Sequence, residues 1–389
     1  MVIKHFIFIN DSTGELDWIA PYLSSLCQKE NEIEIYLNLP RFSRSKIQVI
    51  FSDYFSQKNI RLISMTPVTL ILSKLEFAVE RIFSKIIKNR TWNLRLNKHL
   101  SSLIARLIWQ KVRYDYDFTY LDYNLKNKAF YQRVRQKNKS AKVVIFPHST
   151  AIMTNNAKTP KPEVNKIQCD IFLENTHLNN AFSIYSEKIK VVGSPTLDMF
   201  RDLGDSKLHN RVLFLTRRFE DTFSMKEQET LETFQKLIKM CEQAGYSIDI
   251  KHHPRDLTVY KWRAMYGNAN ISEAAVDISN LTHEYCAVFS VYSSAPVLFA
   301  ARAIPTFDFT CYDLENLDSK PYHYMGDYNT VVHELIDLGI IQRLTFEGVS
   351  DRLLVKSNVR KLGIEQKKSV DKLFKQNAIE NIRNVIDVH

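Results

Sequence analysis

Two short stretches gather side chains that could do chemistry. Lys251-His252-His253-Pro254-Arg255-Asp256 sets two imidazoles, a guanidinium and a rigid proline directly after residues 247–251, an apolar-patterned stretch that reads as a β-strand. At a strand's carboxyl end, where open α/β sheets hold their ligands, such a group forms a compact cationic cradle suited to a phosphate or diphosphate. The second stretch is Ser290-Val291-Tyr292-Ser293-Ser294, followed by Ala295-Pro296 and a helical pattern to Arg302. Hydroxyls and free backbone N–H groups gathered at a helix start, with proline in the first turn, make an anion site without any glycine. Ser294 could equally be an ordinary N-cap.

Further candidates sit at other strand ends. Arg217 and Arg218 follow the strand over 211–215, where paired cations could offset a leaving phosphate or a carboxylate, or form a solvated basic turn. The loop Asn10-Asp11-Ser12-Thr13-Gly14-Glu15-Leu16-Asp17 follows the first strand, and Asp11, Glu15 and Asp17 are candidates for a general base that deprotonates a hydroxyl. Asp11 or Ser12 could instead cap the helix that carries Trp18. His148, in Phe146-Pro147-His148-Ser149-Thr150, is the alternative base. Asp115-Tyr116-Asp117 spells a DxD metal motif but lies just before a strand in the first half, away from the cationic cluster, and is discounted. No Asp/Glu/His spacing suggests a metal cage, so no metal and no cofactor are expected.

The elements that must position these residues alternate along the chain. Strands are expected at 2–9, 33–39, 61–65, 118–121 and 142–146, and the strand at 189–192 leads into Val192-Gly193-Ser194-Pro195-Thr196-Leu197-Asp198. A second series follows, with strands at 211–215, 247–251, 287–291 and 304–309 and helices at 224–244 and 295–302. Strands separated by helices imply parallel sheets. Two such series predict an α/β fold of two Rossmann-like, doubly wound domains facing across a cleft, with the site between them. The expected domains are 1–190, carrying a helical insertion at 68–113, and 191–356, with a closing helix over 357–389 packing back across the junction.

The order of these motifs, with Ala303-Ile304-Pro305-Thr306-Phe307 after the helix, resembles the carboxyl-terminal half of GT-B transferases that use cytidine nucleotides. These include capsule-type transferases of Kdo, sialic and other nonulosonic acids, and the CDP-glycerol glycerophosphotransferases. The resemblance implies that the donor's nucleotide phosphates meet His253, Pro254, Ser293 and Ser294; Gly193, Arg217, Arg218, His252, Arg255 and Tyr292 are the further donor-site candidates. It covers about residues 190–310. The first half departs from it, because the D/E-D/E-G motif that holds the base of bacterial sialyltransferases is missing. The implied activity is metal-independent transfer of an acidic sugar from a CMP-activated donor to an oligosaccharide or glycolipid acceptor of a bacterial capsule or lipopolysaccharide. Rivals are a CDP-glycerol or CDP-ribitol polyol-phosphate transferase, a UDP-HexNAc 2-epimerase-like isomerase, and a non-catalytic glycan-binding subunit.

Composition bounds the rest. The 389 residues, 45% hydrophobic and 25% charged, exclude disorder and a small disulfide scaffold. Five cysteines without a CxxC pair fit a reducing cytoplasm. The net charge of +10 is local: residues 68–113 hold ten Lys/Arg against Glu76 and Glu80. Their apolar residues recur at helical spacing, so the segment reads either as helices packed on the sheet or as a face for an anionic membrane or glycan. The chain is therefore expected to be cytoplasmic, peripheral at the inner face of the membrane. Nucleic acid is not an expected partner, since no recognition module accompanies the charge.

Overall fold

The computed structural model describes residues 3–10, 13–27, 31–38, 60–64, 103, 116–122, 139–147, 169–178, 187–205, 209–219, 225–253, 256, 258–267, 269–273, 285–312 and 334–387. The basic segment 68–113, Leu103 apart, and the bases Asp11 and His148 lie outside these residues, as do Pro254 and Arg255.

Two parallel sheets carry the chain. The first contains β1 (Lys4–Asn10), β2 (Glu32–Asn38), β3 (Ile60–Ser64), β4 (Phe118–Asp122), β5 (Lys142–Phe146), β6 (Ile171–Glu174) and β7 (Ile189–Val191), in the order β3-β2-β1-β4-β5-β6-β7. The second contains β8 (Arg211–Thr216), β9 (Ser247–His252), β10 (Ile271–Glu273), β11 (Ala287–Ser290), β12 (Thr306–Asp308) and β13 (Gln342–Arg343), in the order β10-β9-β8-β11-β12-β13. Each order runs outward from its first strand and then reverses, so each sheet has a switch point, between β1 and β4 and between β8 and β11.

The second sheet is apolar on both faces because helices cover both. Along β8, Val212 and Phe214 join the cluster of helix α3 (Glu227–Gln243), with Phe234, Leu237 and Ile238. Leu213 and Leu215 point the other way, into a cluster with Leu197, Phe200, Val297 and Val370. A strand buried on both sides reads as an unbroken apolar run, and Val212 to Leu215 is one. Helix α3 begins at Glu227 rather than at 224, because Met225 bridges Tyr312 and the Lys226 N–H donates to the Cys311 carbonyl (2.8 Å).

In the first sheet, helix α1 (Thr13–Cys27) buries Trp18, Ile19, Tyr22, Leu23 and Leu26 against Ile7, Ile9 and Ile33. Pro21 lies inside this helix and has no N–H to give the carbonyl of Asp17. The Thr196 hydroxyl makes up the loss, donating to that carbonyl at 2.6 Å.

Thr196 belongs to helix α2 (Pro195–Asp202), at the passage between the sheets. Its N-cap is Ser194, whose Oγ accepts from the Leu197 N–H, and its proline stands in the first turn. Beyond the short helix α6 (Glu334–Asp337), the expected closing helix is two helices, α7 (Lys356–Leu373) and α8 (Ala378–Asp387), separated by a break in which Asn377 is left-handed (φ 61°). Helix α7 packs Val370 in the second domain's core, while α8 sends Ile382 and Ile386 into the first. The Asp198 carboxylate accepts the first N–H of α8, from Ala378 (2.6 Å), and pairs with Arg201 (2.9 Å). Burial nonetheless raises its pKa above the usual carboxylate range.

Gly193 follows β7 with φ 89°, and a Cβ there would lie 2.1 Å from the Lys375 carbonyl oxygen. Only glycine suits both the conformation and the approach. Gly193→Ala is expected to lower stability by roughly 2–4 kcal/mol through strain and displacement of that carbonyl. Thermal or urea unfolding measures it, and an unchanged midpoint would show that the crossing is not tightly held.

Candidate functional site

Three adjacent strands bring the sequence clusters together. In register, Thr216 of β8 lies opposite His252 of β9, and Leu215 lies opposite Ser290 of β11. The residues that follow these strands, Arg217 and Arg218, His253, and Tyr292 to Ser294, therefore share one carboxyl edge, and the β8/β11 switch point lies within it.

His252 is held by its own domain. Its Nδ1 is 2.7 Å from the Thr216 hydroxyl and its Nε2 is 2.7 Å from the Tyr266 hydroxyl. Burial lowers its pKa even though Glu273 stands 3.5 Å away and favours the charged form. Burial thus favours the neutral imidazole over an ion pair with Glu273. Glu273 instead pairs with Arg263, whose hydrogen bonds draw the carboxyl down to about 2. Sequence reasoning gave His252 to a phosphate; the structure engages both of its ring nitrogens behind the edge. Tyr266 and Glu273 carried no signal beyond an unremarkable polar stretch.

His253 continues the chain past the edge. Its N–H donates to the Thr216 carbonyl (3.0 Å), and its own carbonyl accepts from the Asp256 N–H (2.8 Å). Asp256 carries three accepted hydrogen bonds. One carboxylate oxygen accepts from the Thr258 N–H (2.7 Å) and hydroxyl (2.6 Å), ahead of helix α4 (Val259–Arg263). The other accepts from the indole N–H of Trp262 at 3.2 Å, and that N–H also reaches the Arg217 carbonyl at 3.2 Å. Trp262 is fully buried and stacks on Phe219, so one indole ties the β8 loop to the β9 loop.

Arg217 spans the switch point. Its Nη1 donates to the Tyr292 carbonyl at 2.5 Å, and the guanidinium lies 5.6 Å over the Tyr292 ring. In this structure it braces the serine loop, whereas Arg218 beside it is exposed. Tyr292 is left-handed (φ 35°), an unusual state for an aromatic residue. The Ser293 Oγ accepts from the Ala295 N–H (3.2 Å), and the Ser294 carbonyl from the Val297 N–H (3.2 Å). The N-cap of helix α5 (Pro296–Ala300) is Ala295, not Ser294, and it makes no side-chain cap. Both serines are half-buried, with their backbone turned across the edge.

The remaining sequence candidates fall elsewhere. Gly193 is not brought to this edge; it leaves β7 of the first sheet, where close packing needs it. Glu15 lies in the first turn of α1, beyond the carboxyl end of β1. Asp117 accepts from the Lys4 N–H (2.8 Å) at the amino ends of β1 and β4, the edge opposite to the one that holds ligands in such sheets. Among the described residues, no three His, Cys, Asp or Glu side chains are grouped to hold a metal ion.

This architecture, two Rossmann-like domains in one chain, is shared by GT-B glycosyltransferases and UDP-GlcNAc 2-epimerases. Over 100% of its length the chain is similar to a Listeria monocytogenes protein assigned as a UDP-N-acetylglucosamine 2-epimerase (TM-score 0.60, 14% identity, 98% of that chain). It is also similar over 100% of its length to the calicheamicin glycosyltransferase CalG4 (TM-score 0.54, 12% identity, 98% of that chain). A glycosyltransferase from Rickettsia africae ESF-5 is comparable (TM-score 0.53, 12% identity, 100% of this chain and 97% of that one). These likenesses show the fold. In sequence, residues 118–296 match the family described as alpha-2,8-polysialyltransferase (POLYST). That stretch runs from β4 to the start of α5 and contains both the histidine loop and the serine loop. No curated protein sequence matches the chain. Family match and fold together agree with the resemblance drawn from the motifs.

Asp256→Ala removes three accepted hydrogen bonds at a buried position and is expected to cost roughly 2–3 kcal/mol. Chemical denaturation measures it; a midpoint equal to that of the unsubstituted protein would mean that the backbone at His253 is not anchored there.

Proposed function

We propose that this chain is a glycosyltransferase of the sialyltransferase type, moving an acidic sugar, a nonulosonic acid or Kdo, from a CMP-activated donor to a bacterial surface glycan. The observation that carries this reading is the polysialyltransferase match over residues 118–296, which takes in the two loops that meet at the second sheet's carboxyl edge. CMP would lie along that edge, with its phosphate toward His253 and the Ser293 and Ser294 loop. Pro254 and Arg255, which follow His253 in the sequence, would face the same phosphate, with Arg218 exposed at that edge. The acceptor hydroxyl attacks the anomeric carbon, the bond from that carbon to the phosphate oxygen breaks, and CMP departs with the bonding pair. Donors already aimed at that phosphate lower the barrier. The acceptor's proton passes to a base of the first domain, for which Asp11, Glu15 and His148 are the candidates. No metal step is required by this scheme.

The assay is release of free CMP from CMP-sialic acid, CMP-pseudaminic acid and CMP-Kdo, run beside CDP-glycerol and UDP-GlcNAc. Turnover of a CMP-sugar is expected, and His253→Ala should reduce it at least roughly 100-fold, the scale for removing one preorganised donor. Turnover of CDP-glycerol alone would sink the reading. The epimerase-like fold raises a second one, and conversion of UDP-GlcNAc to its C2 epimer, with every CMP-sugar left intact, would favour it.

No helix among the described residues is long and apolar enough to cross a membrane. We propose that residues 68–113 bring the protein to an anionic surface, on the strength of their charge. In vesicle flotation the protein should rise with anionic lipid and stay down with neutral lipid; equal behaviour in both would remove the membrane role.

A further inference from the structure

One buried carboxylate lies behind the serine loop without belonging to it. Asp308 ends β12 and is fully buried. Its Oδ2 accepts from the Tyr292 N–H (3.1 Å), and its Oδ1 accepts from the Thr310 N–H (2.9 Å) and the Tyr312 hydroxyl (3.2 Å). The Thr310 hydroxyl stands 3.0 Å from the same Tyr292 N–H. Burial raises the pKa of this carboxyl, and the donors around it oppose the rise. Burying a carboxylate is costly unless it is well bonded, so such a group persists where it holds something in place.

What it holds is the left-handed turn at Tyr292, a conformation that is unfavourable for an aromatic residue and persists only where its surroundings hold it. Two grips meet there. Asp308 and Thr310 take the Tyr292 N–H from below, and Arg217 takes its carbonyl from the β8 side. The Tyr312 ring meets the Tyr292 ring edge-on at 6.3 Å. Ser293 and Ser294 leave this clamped residue directly, so their placement follows from it.

We propose that Asp308 is a positioning residue of the donor site: by holding the Tyr292 turn from below, it sets where the Ser293 and Ser294 hydroxyls and N–H groups stand. The proposal rests on the reading of this edge as the donor site. It extends that reading to a residue some 15 positions downstream, on the neighbouring strand.

The test uses Asp308→Asn, which keeps the shape. Whichever way the amide turns, its NH2 group faces an N–H donor, either that of Tyr292 or that of Thr310. Hydrogen exchange at residues 291–295 is read first, with no substrate. Protection there is expected to fall about ten-fold or more, while β8 and β9 keep theirs. CMP binding and donor KM are read second, and both should weaken by about ten-fold, equivalent to about 1.4 kcal/mol, with kcat changed far less. Thr310→Val removes one acceptor at the Tyr292 N–H and should shift both readouts in the same direction by a smaller factor. If Asp308→Asn fails to fold, Thr310→Val alone decides. Unchanged exchange at 291–295 in a folded variant overturns the proposal, as does lost protection with CMP affinity intact. A wild-type protein that binds no CMP would overturn the donor reading instead, and the exchange result would still report whether Asp308 holds the turn.

Discussion

The approach of Gly193 to the Lys375 carbonyl is the contact on which the rest of the structure depends. The chain leaves the first sheet at this glycine and returns past it, 182 residues later, to put α8 into the first domain's core. Several groups in the passage then find partners of distant origin. The Thr196 hydroxyl satisfies the carbonyl that Pro21 leaves orphaned, and Asp198 caps α8. Arg201 reaches both Asp371 and the Phe374 carbonyl. A side chain at 193 would push the returning carbonyl away and loosen all of these at once. The same segment looked like part of a ligand site in the sequence, because glycine, serine and proline at a strand end serve either purpose.

A second constraint acts at the candidate site. Its half-buried groups stand on buried and half-buried polar struts: Trp262 and Asp256 beside His253, His252 with Tyr266 and Thr216 at the β9 end, and Asp308 with Thr310 behind the serine turn. Each strut is expensive to bury unless fully bonded, and each is bonded. The consequence is an edge whose backbone is held by its own domain, the preorganisation that the proposed donor site would use. Of the two arginines, the buried-side Arg217 serves as a strut and Arg218 faces solvent.

Much of this was legible because both faces of the second sheet are covered. Unbroken apolar runs such as Val212 to Leu215 and Ala287 to Phe289 announce such strands directly. Strands β10 and β13 lack that signal, and β6 carries only the short run Ile171-Phe172-Leu173. Strand β10 is the polar Ile271-Ser272-Glu273 at a sheet edge, β13 has two residues, and β6 follows the polar stretch before Cys169. Helix α2 begins at a proline and carries charges through a short amphipathic turn, so the motif reading took precedence over the helical one. The break between α7 and α8 starts where Phe374 turns extended and ends at left-handed Asn377, and it interrupts no hydrophobic period.

By itself, the sequence determined the alternation of strand and helix, the parallel order it implies, and the two clusters that end neighbouring strands. These follow from periodicity and from which residue types tolerate strand ends, both local properties. Only the tertiary structure decided which histidine is a strut and which continues to the edge, why Gly193 is a packing residue, and that Asp308 stands beneath the serine loop. Those roles depend on which atoms meet across strands that are far apart in the chain. Hydrogen-bond partnership and burial are properties of the meeting, not of either residue alone.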